Sequence, residues 1–296
     1  RPSAVSSDSN YDYIRTVTTA YDTKTDFLDI NGDGKNDRVM ATSGNTSWSV
    51  QLNNGNGTFA SVTNWGTLYK PSSEAKWDWV SKSDDQWLQV SDLVDMNGDG
   101  RPDRVIAQIN NTNWKVQLNH GSPSTGSGQG GFDPEINWGP IQRMDSSNGT
   151  YDFIRYSPIV NQGITTRMDF FDINGDGLPD RVMSQSGTNY WKVQLNTGSG
   201  FGNMVSWTGV QTRLSGADCY YIRNTSSAHE TSIEIADLNG DGLPDRIQSD
   251  DSNLNWKVQW NTGSGFTPME DFGTIWTQST WVRLYHVRLS SDAGEA

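Results

Sequence analysis

Asp172-Ile-Asn-Gly-Asp-Gly-Leu-Pro-Asp180 is followed at once by Arg181 and, 11 residues after Asp180, by Trp191-Lys-Val-Gln-Leu-Asn-Thr-Gly-Ser-Gly-Phe201. This stretch decides the fold because it recurs: Asp29-Ile-Asn-Gly-Asp-Gly-Lys-Asn-Asp37, Asp95-Met-Asn-Gly-Asp-Gly-Arg-Pro-Asp103 and Asp237-Leu-Asn-Gly-Asp-Gly-Leu-Pro-Asp245 align with it without gaps. The copies are 66 (29 to 95), 77 (95 to 172) and 65 (172 to 237) residues apart. Arg38, Arg104 and Arg246 match Arg181, and Trp48, Trp114 and Trp256 match Trp191. Each copy then ends in a Gly-rich turn and Phe59, Phe132, Phe201 or Phe266. Self-similarity at such a period is the mark of a repeat architecture.

The flanks of each loop read as strands, since apolar residues alternate with polar ones or occur in short β-branched and aromatic runs. Asp26–Ile30, Arg38–Thr42 and Trp48–Leu52 are examples, as are Tyr11–Arg15 and its counterparts Trp77–Ser81, Tyr151–Arg155 and Cys219–Arg223; a further set lies near Trp65, Trp138, Trp207 and Phe272. Four or five short strands per copy and almost no helix make the fold class all-β. A unit of four strands cannot bury both faces alone, so copies must stack, and radial stacking gives a β-propeller. We therefore expect residues 1–296 to form one propeller domain of repeats at about 10–76, 77–150, 151–218 and 219–290. Leu284–Arg288 repeats the Cys219–Arg223 strand a fifth time. The ring is thus either four-bladed, with its two terminal copies near one another, or a segment of a larger propeller.

Composition agrees with thin layers rather than one thick core. Only 33% of residues are hydrophobic, yet the chain holds 13 Trp, 10 Tyr and 9 Phe, so its apolar surface sits in large rings. No run approaches the ~18 apolar residues of a membrane span. A net charge of −13 argues against a nucleic-acid partner, which needs a basic footprint. Cys219 stands alone, so no disulfide framework is available. Residue 1 is Arg rather than Met, as expected of a processed or truncated product.

The acidity has a local explanation. Calcium takes six to eight oxygens, and side-chain oxygens at alternate loop positions converge on one centre. Positions 1, 3, 5 and 9 supply them, with the carbonyl of position 7 as a further ligand. The candidate ligands are Asp29, Asn31, Asp33, Lys35 and Asp37; Asp95, Asn97, Asp99, Arg101 and Asp103; Asp172, Asn174, Asp176, Leu178 and Asp180; and Asp237, Asn239, Asp241, Leu243 and Asp245. An EF-hand would need Glu at position 12, where Met40, Ile106, Met183 and Gln248 stand instead. Four Ca²⁺ would bring the net charge from −13 to about −5.

The loop followed by Trp-Lys-Val-Gln-Leu-Asn-Thr-Gly-Ser-Gly-Phe resembles the FG-GAP/VCBS repeat family, the integrin-α-type calcium β-propeller. The Asn-Thr-Gly-x-Gly-Phe ending is similar to repeats in the N-terminal regions of bacterial virulence-plasmid and toxin-complex B-type proteins. The resemblance covers all four copies and implies calcium sites at blade edges that are structural. The copies here, at about 65 residues, are longer than the family's usual blade.

An acid precedes each loop by three residues (Asp26, Asp92, Asp169, Glu234), which suggests a cross-strand ion pair with the Arg after it. Asp12, Asp78 and Asp152 beside aromatic residues, with Arg15, Arg155, Arg223 and Arg288, suggest a carbohydrate platform. His120, His229 and His286 sit in no catalytic motif. The expected function is a secreted or cell-surface, calcium-stabilised binding or scaffolding module that takes a glycan or a protein, without catalytic residues. Two alternatives stay open: a polysaccharide lyase or glycoside hydrolase built on a propeller, and a scaffold piece of a larger toxin-like protein.

Overall fold

The computed structural model describes residues 14–18, 22–72, 77–84, 88–123, 131–144, 149–160, 163–212, 220–225, 230–249, 255–274 and 288–289. Apart from a 3-10 turn at Gly149–Asp152, their regular structure is strand, so the fold is all-β. Among them no helix is long and apolar enough to cross a membrane. They fall into two compact units, the first drawn from Arg1–Ile141, Asp152–Ile154 and Asn196–Phe201, the second from Gln142–Tyr151, Arg155–Leu195 and Gly202–Ala296.

The first unit holds β1 (Thr16–Val17), β2 (Asp22–Leu28), β3 (Asp37–Met40), β4 (Trp48–Gln51), β5 (Thr63–Trp65), β6 (Ser81–Ser83), β7 (Gln89–Val94), β8 (Asp103–Ile106), β9 (Trp114–Gln117) and β10 (Ile136–Trp138). Two antiparallel four-stranded meanders, β2–β5 and β7–β10, are joined edge to edge through β6. The acidic loop is the β2–β3 and β7–β8 hairpin connection. The repeated tryptophans face each other across strands, Trp48 opposite Trp65 and Trp114 opposite Trp138.

The second unit holds β11 (Ile159–Val160), β12 (Gly163–Thr166), β13 (Met168–Phe171), β14 (Asp180–Met183), β15 (Tyr190–Gln194), β16 (Val205–Thr208), β17 (Arg223–Thr225), β18 (Glu230–Ala236), β19 (Asp245–Gln248), β20 (Asn255–Gln259), β21 (Glu270–Thr274) and β22 (Arg288–Leu289). Its meanders are β13–β16 and β18–β21. Here the strand equivalent to β2 is interrupted between β12 and β13, where Arg167 donates its backbone N–H to the Tyr156 carbonyl at 2.9 Å. β6 pairs with β2, β17 with β12 and β22 with β18, so the start of one copy repeatedly adds to the inner strand of the copy before it. Most of the fifth strand copy, Leu284–Arg288, lies outside the described residues.

Within each unit the joint between successive copies is built from the same parts. A Gly-rich turn closes on an Asn–Phe bridge, Asn119 with Phe132, Asn196 with Phe201 and Asn261 with Phe266. The Phe ring then meets a Trp of the preceding copy edge-on, at 5.3 Å for Trp48–Phe132, 5.2 Å for Trp114–Phe201 and 5.1 Å for Trp191–Phe266. The cores are therefore layers between copies: Ile30, Val39, Trp48, Val50 and Trp65 pack with Trp79, Val80 and Phe132, and Ile173, Val182, Trp191 and Trp207 pack with Ile222, Ile235 and Phe266. Burying one such ring stabilises by about 1.5–3 kcal/mol.

Two expectations are corrected here. Trp77–Val80, Tyr151–Ile154 and Tyr220–Ile222 are turns, and strand begins only at Ser81 and Arg223. The cause is tertiary: the Asp78 carboxylate accepts the Gly44 N–H at 2.7 Å and its carbonyl accepts Trp48 Nε1–H at 2.8 Å, while Asp152 does the same for Asn110 at 2.6 Å and Trp114 at 2.6 Å. The expected ion pair between the acid before the loop and the Arg after it is also absent. Strand register sets Arg38 opposite Phe27 and Asp26 opposite Val39, so the two charges project from opposite faces.

Candidate functional site

A tight hairpin connection needs backbone that L side chains resist, and glycine supplies it. In the first loop Gly32 and Gly34 take φ of 75° and 82°. This curls successive N–H groups inward onto the first carboxylate: Asp29 accepts Gly32 N–H at 2.8 Å, Asp33 N–H at 3.1 Å and Gly34 N–H at 2.7 Å. Asp95 accepts Gly98, Asp99 and Gly100 at 2.8, 3.2 and 2.8 Å, and Asp172 accepts Gly175, Asp176 and Gly177 at 2.7, 3.2 and 2.8 Å. Asp237 holds Gly240 and Gly242 at 2.7 and 2.9 Å. Position 3 bonds to the N–H of position 5, as in Asn31 to Asp33 at 3.1 Å and Asn239 to Asp241 at 2.9 Å.

Position 9 is buried. Asp37, Asp103, Asp180 and Asp245 are each 0% exposed. Asp103 accepts Met96 N–H at 3.0 Å and Asn119 N–H at 2.8 Å, and Asp245 accepts Leu238 and Asn261 at 3.1 and 2.9 Å. Burial pushes the Asp103 carboxyl up to about 7, against the lowering effect of those two N–H groups, and raises Asp37 and Asp245 in the same direction. A buried carboxylate of that kind holds its charge more readily once a cation compensates it.

Position 5 is exposed and divides the loops into two kinds. Lys35 Nζ meets Asp33 at 2.7 Å and the Arg101 guanidinium meets Asp99 at 2.6 Å, so a side chain of the same loop lies on the carboxylate as a stand-in cation. The Lys35 hydrogen bond holds Asp33 below the usual carboxylate range. In the other two loops position 7 is Leu178 or Leu243, and Asp176 and Asp241 receive an amide hydrogen from Asn174 and Asn239, each at 2.9 Å.

The 20 candidate residues thus lie in four hairpin connections and at the first residue of the strand that follows each, with oxygen donors at positions 1, 3, 5 and 9. The carboxylates are spread along each loop onto its backbone; among the described residues no three acidic, His or Cys side chains converge on one point. The donor chemistry, all oxygen with an exposed opening at position 5, fits a hard divalent cation.

The Arg after the second, third and fourth loops, which the sequence assigned to an ion pair, instead pins the segment between copies, whereas Arg38 donates to Gln51 of its own copy at 3.0 Å. Arg104, 0% exposed, donates to the Tyr69 carbonyl at 2.7 Å, the Trp77 carbonyl at 2.5 Å and Gln117 Oε1 at 3.1 Å, and stacks over Trp48 at 5.6 Å. Arg246 repeats this with Gln211 at 2.7 Å and Trp191 at 5.8 Å. The acids pair elsewhere: Asp26 with Arg15 at 3.6 Å, Asp169 with Arg155 at 2.7 Å and with Arg223, and Glu234 with Arg223 at 2.6 Å. Of the expected carbohydrate platform, Asp78, Asp152, Trp77, Trp79, Tyr151 and Phe153 are buried, while the Arg15, Arg155 and Arg223 side chains reach solvent in ion pairs with the acids before the loops; Asp12 lies outside the described residues.

A family model described as an FG-GAP-like repeat matches residues 172–247. Residues 172–247 form an FG-GAP-like repeat. The matched segment opens on Asp172 and takes in the next loop through Asp245, so it spans one whole copy and the hairpin of the following one. The loops at 172–180 and 237–245 share with those at 29–37 and 95–103 the bond from the position-6 N–H to the position-1 carboxylate. Among curated protein sequences none matches the chain. Solved structures similar to it include an Agrocybe aegerita lectin that recognises non-reducing terminal N-acetylglucosamine, at 19% identity and TM-score 0.48, covering 83% of this chain and 50% of that one. Another is the Tc holotoxin pore of Photorhabdus luminescens, at 14% identity and TM-score 0.40, covering 91% and 13%. A third is TcdB2-TccC3 without its hypervariable C-terminal region, at 13% identity and TM-score 0.35, covering 83% and 10%. The chain spans half or less of the length of each.

Proposed function

We propose that the protein is a calcium-stabilised β-propeller module, one blade per copy, that serves outside the cell as a binding or scaffolding surface for a glycan or a protein. The observation that carries this reading is the loop itself. Four hairpin tips each orient one carboxylate with inward N–H groups, bury another at 0% exposure and leave a third open. Three carboxylates within nine residues repel one another, and a divalent ion removes that repulsion. The protein would hold it through Asp29, Asn31, Asp33 and Asp37 and their equivalents, with the carbonyls of Lys35, Arg101, Leu178 and Leu243. Bound there, the ion ties the two strands of each hairpin together.

The blade assignment is supported by the joints. The second, third and fourth copies each give an Asn–Phe turn to the one before, which is how stacked sheets bury faces they cannot bury alone. Asn119, Asn196 and Asn261 spend their side chains on the carbonyls of the preceding loop, which supports a structural role for that repeated residue.

Metal analysis of the dialysed protein, paired with thermal melts in calcium and in EDTA, tests the metal part. Bound calcium and a melting temperature that falls on chelation are expected; a metal-free protein with an unchanged melt would overturn it. A glycan array run in both conditions tests the ligand part, with calcium-dependent binding expected for a glycan ligand.

A further inference from the structure

We infer that the four loops form two classes of cation site, set by position 7: the loops at 172–180 and 237–245 take a divalent ion first, and those at 29–37 and 95–103 are partly satisfied by their own Lys35 and Arg101. This rests on the calcium reading of the loops and deepens it.

Position 7 lies between neighbouring loops. A Cβ placed on Gly32 would meet Arg101 Cγ at 2.9 Å, and one placed on Gly175 would meet Leu243 Cδ2 at 2.9 Å. The position-7 side chain of the later loop therefore covers the turn of the earlier loop in both units. In the first unit that side chain is a guanidinium, anchored by the Asn119 carbonyl at 2.8 Å and by Asp99 at 2.6 Å. Lys35 adds a second tethered cation on Asp33 at 2.7 Å. The six loop carboxylates of the first unit thus have two resident cations, whereas the six of the second have none from position 7. There Asp176 and Asp241 receive only neutral amide hydrogens.

The sign follows from charge alone. An incoming ion at the first two loops must displace an ammonium or guanidinium from its oxygen and then share the loop with it. A unit charge about 6 Å from a divalent ion costs about tenfold in affinity even at the dielectric of water. Lys35 and Arg101 keep 41% and 32% of their side-chain surface exposed, so they have room to swing aside, and binding there is weakened rather than blocked.

The test is calcium titration of the apo protein followed by native mass spectrometry and terbium luminescence, on the wild type, on Lys35→Leu/Arg101→Leu and on Leu178→Lys/Leu243→Lys. In the wild type two ions are expected to bind about tenfold more tightly than the other two. Lys35→Leu/Arg101→Leu should merge the four into one class, and Leu178→Lys/Leu243→Lys should erase the tight class. Asp176→Asn/Asp241→Asn assigns it, since this pair alone should remove the first two ions. Four ions of a single affinity in all proteins would overturn the two-class inference and leave the calcium reading standing. No bound ion in any folded protein would overturn both.

Discussion

Asn119→Ala should be among the most damaging polar truncations in the first unit, and its cost can be worked from the joint it closes. Its amide donates to the Ile30 carbonyl at 2.7 Å and the Pro102 carbonyl at 3.0 Å, and its oxygen accepts Trp65 Nε1–H at 3.2 Å and Gly121 N–H at 3.0 Å. Trp65 and Ile30 are both 0% exposed, so water cannot replace either lost partner without opening the joint. Leaving a buried polar group unsatisfied costs about 1–3 kcal/mol, which makes two of them roughly 4 kcal/mol. That is a large share of the ~5–15 kcal/mol that holds an ordinary domain. Asn53 occupies the same place in the first copy but bonds only within it, to the Asn36 carbonyl at 3.1 Å and from Gly55 N–H at 2.9 Å. Asn53→Ala should therefore cost about 1 kcal/mol. Urea unfolding of both variants at fixed calcium, followed by tryptophan fluorescence, measures the difference. Equal losses for the two would refute the claim that this asparagine locks one copy to the next.

Removing calcium should lower stability by about 3 kcal/mol per site that was held at a hundredfold excess over its dissociation constant, read as a fall in melting temperature with chelator. The pH response should depend on the ion. Asp103 titrates near 7 in the folded chelated protein against an ordinary value of 3.8, so the folded state holds the extra proton between those values and chelated stability should fall as pH rises from about 4 to about 7. With calcium the same proton competes with the ion, so the calcium-dependent gain in melting temperature should be larger at pH 8 than at pH 5.5; equal gains would refute the ligand role of position 9. Gly66→Ala should cost several kcal/mol in urea unfolding, because φ is +70° and the new Cβ would lie 2.6 Å from the Phe132 backbone nitrogen. Gly44→Ala, at φ +84° with nothing within 4 Å, should cost only about 1–2 kcal/mol.

Whatever depends on neighbours in sequence was readable without a structure. The nine-residue loop, its flanking hairpin strands and the Asn–Phe turn are all local, and fourfold repetition marked them. The three turn segments before Ser81, Arg155 and Arg223 were misread as strand because their alternation is real but their hydrogen bonds go elsewhere. Val80 donates to the Thr23 carbonyl, Ile154 to Gln89 and Ile222 to Thr166, each in the preceding copy and each at 3.0 Å. The repeated tryptophans, large rings in a chain poor in aliphatic runs, read as packing between copies, and Trp48, Trp65, Trp114, Trp138, Trp191 and Trp207 are all within 2% of full burial. The Arg after each loop misled for a sharper reason. Spacing alone sets it near the acid across the hairpin, whereas a one-residue difference in register sends it to the other face.

The loops and the joints are one hydrogen-bonded system, which would give the proposed ion binding a reach beyond its own hairpin. Asp103 accepts the Asn119 backbone N–H, and the Asn119 side chain in turn holds the carbonyl of Ile30, the second residue of the preceding loop. In the second unit Asp245 holds Asn261, whose side chain holds Ile173 at 2.7 Å. An ion that fixed position 9 of one loop, as proposed, would thereby fix the asparagine that shapes the loop before it. Stability in such an array is a sum of copies and of nearest-neighbour terms. An ion bound as proposed would contribute to both kinds of term: to its own copy by tying β7 to β8, and to the neighbouring copy by holding Asn119 where it donates to the Ile30 carbonyl. Occupancy of the loops, if they hold ions as proposed, would then raise the cooperativity between neighbouring copies as well as the stability of each.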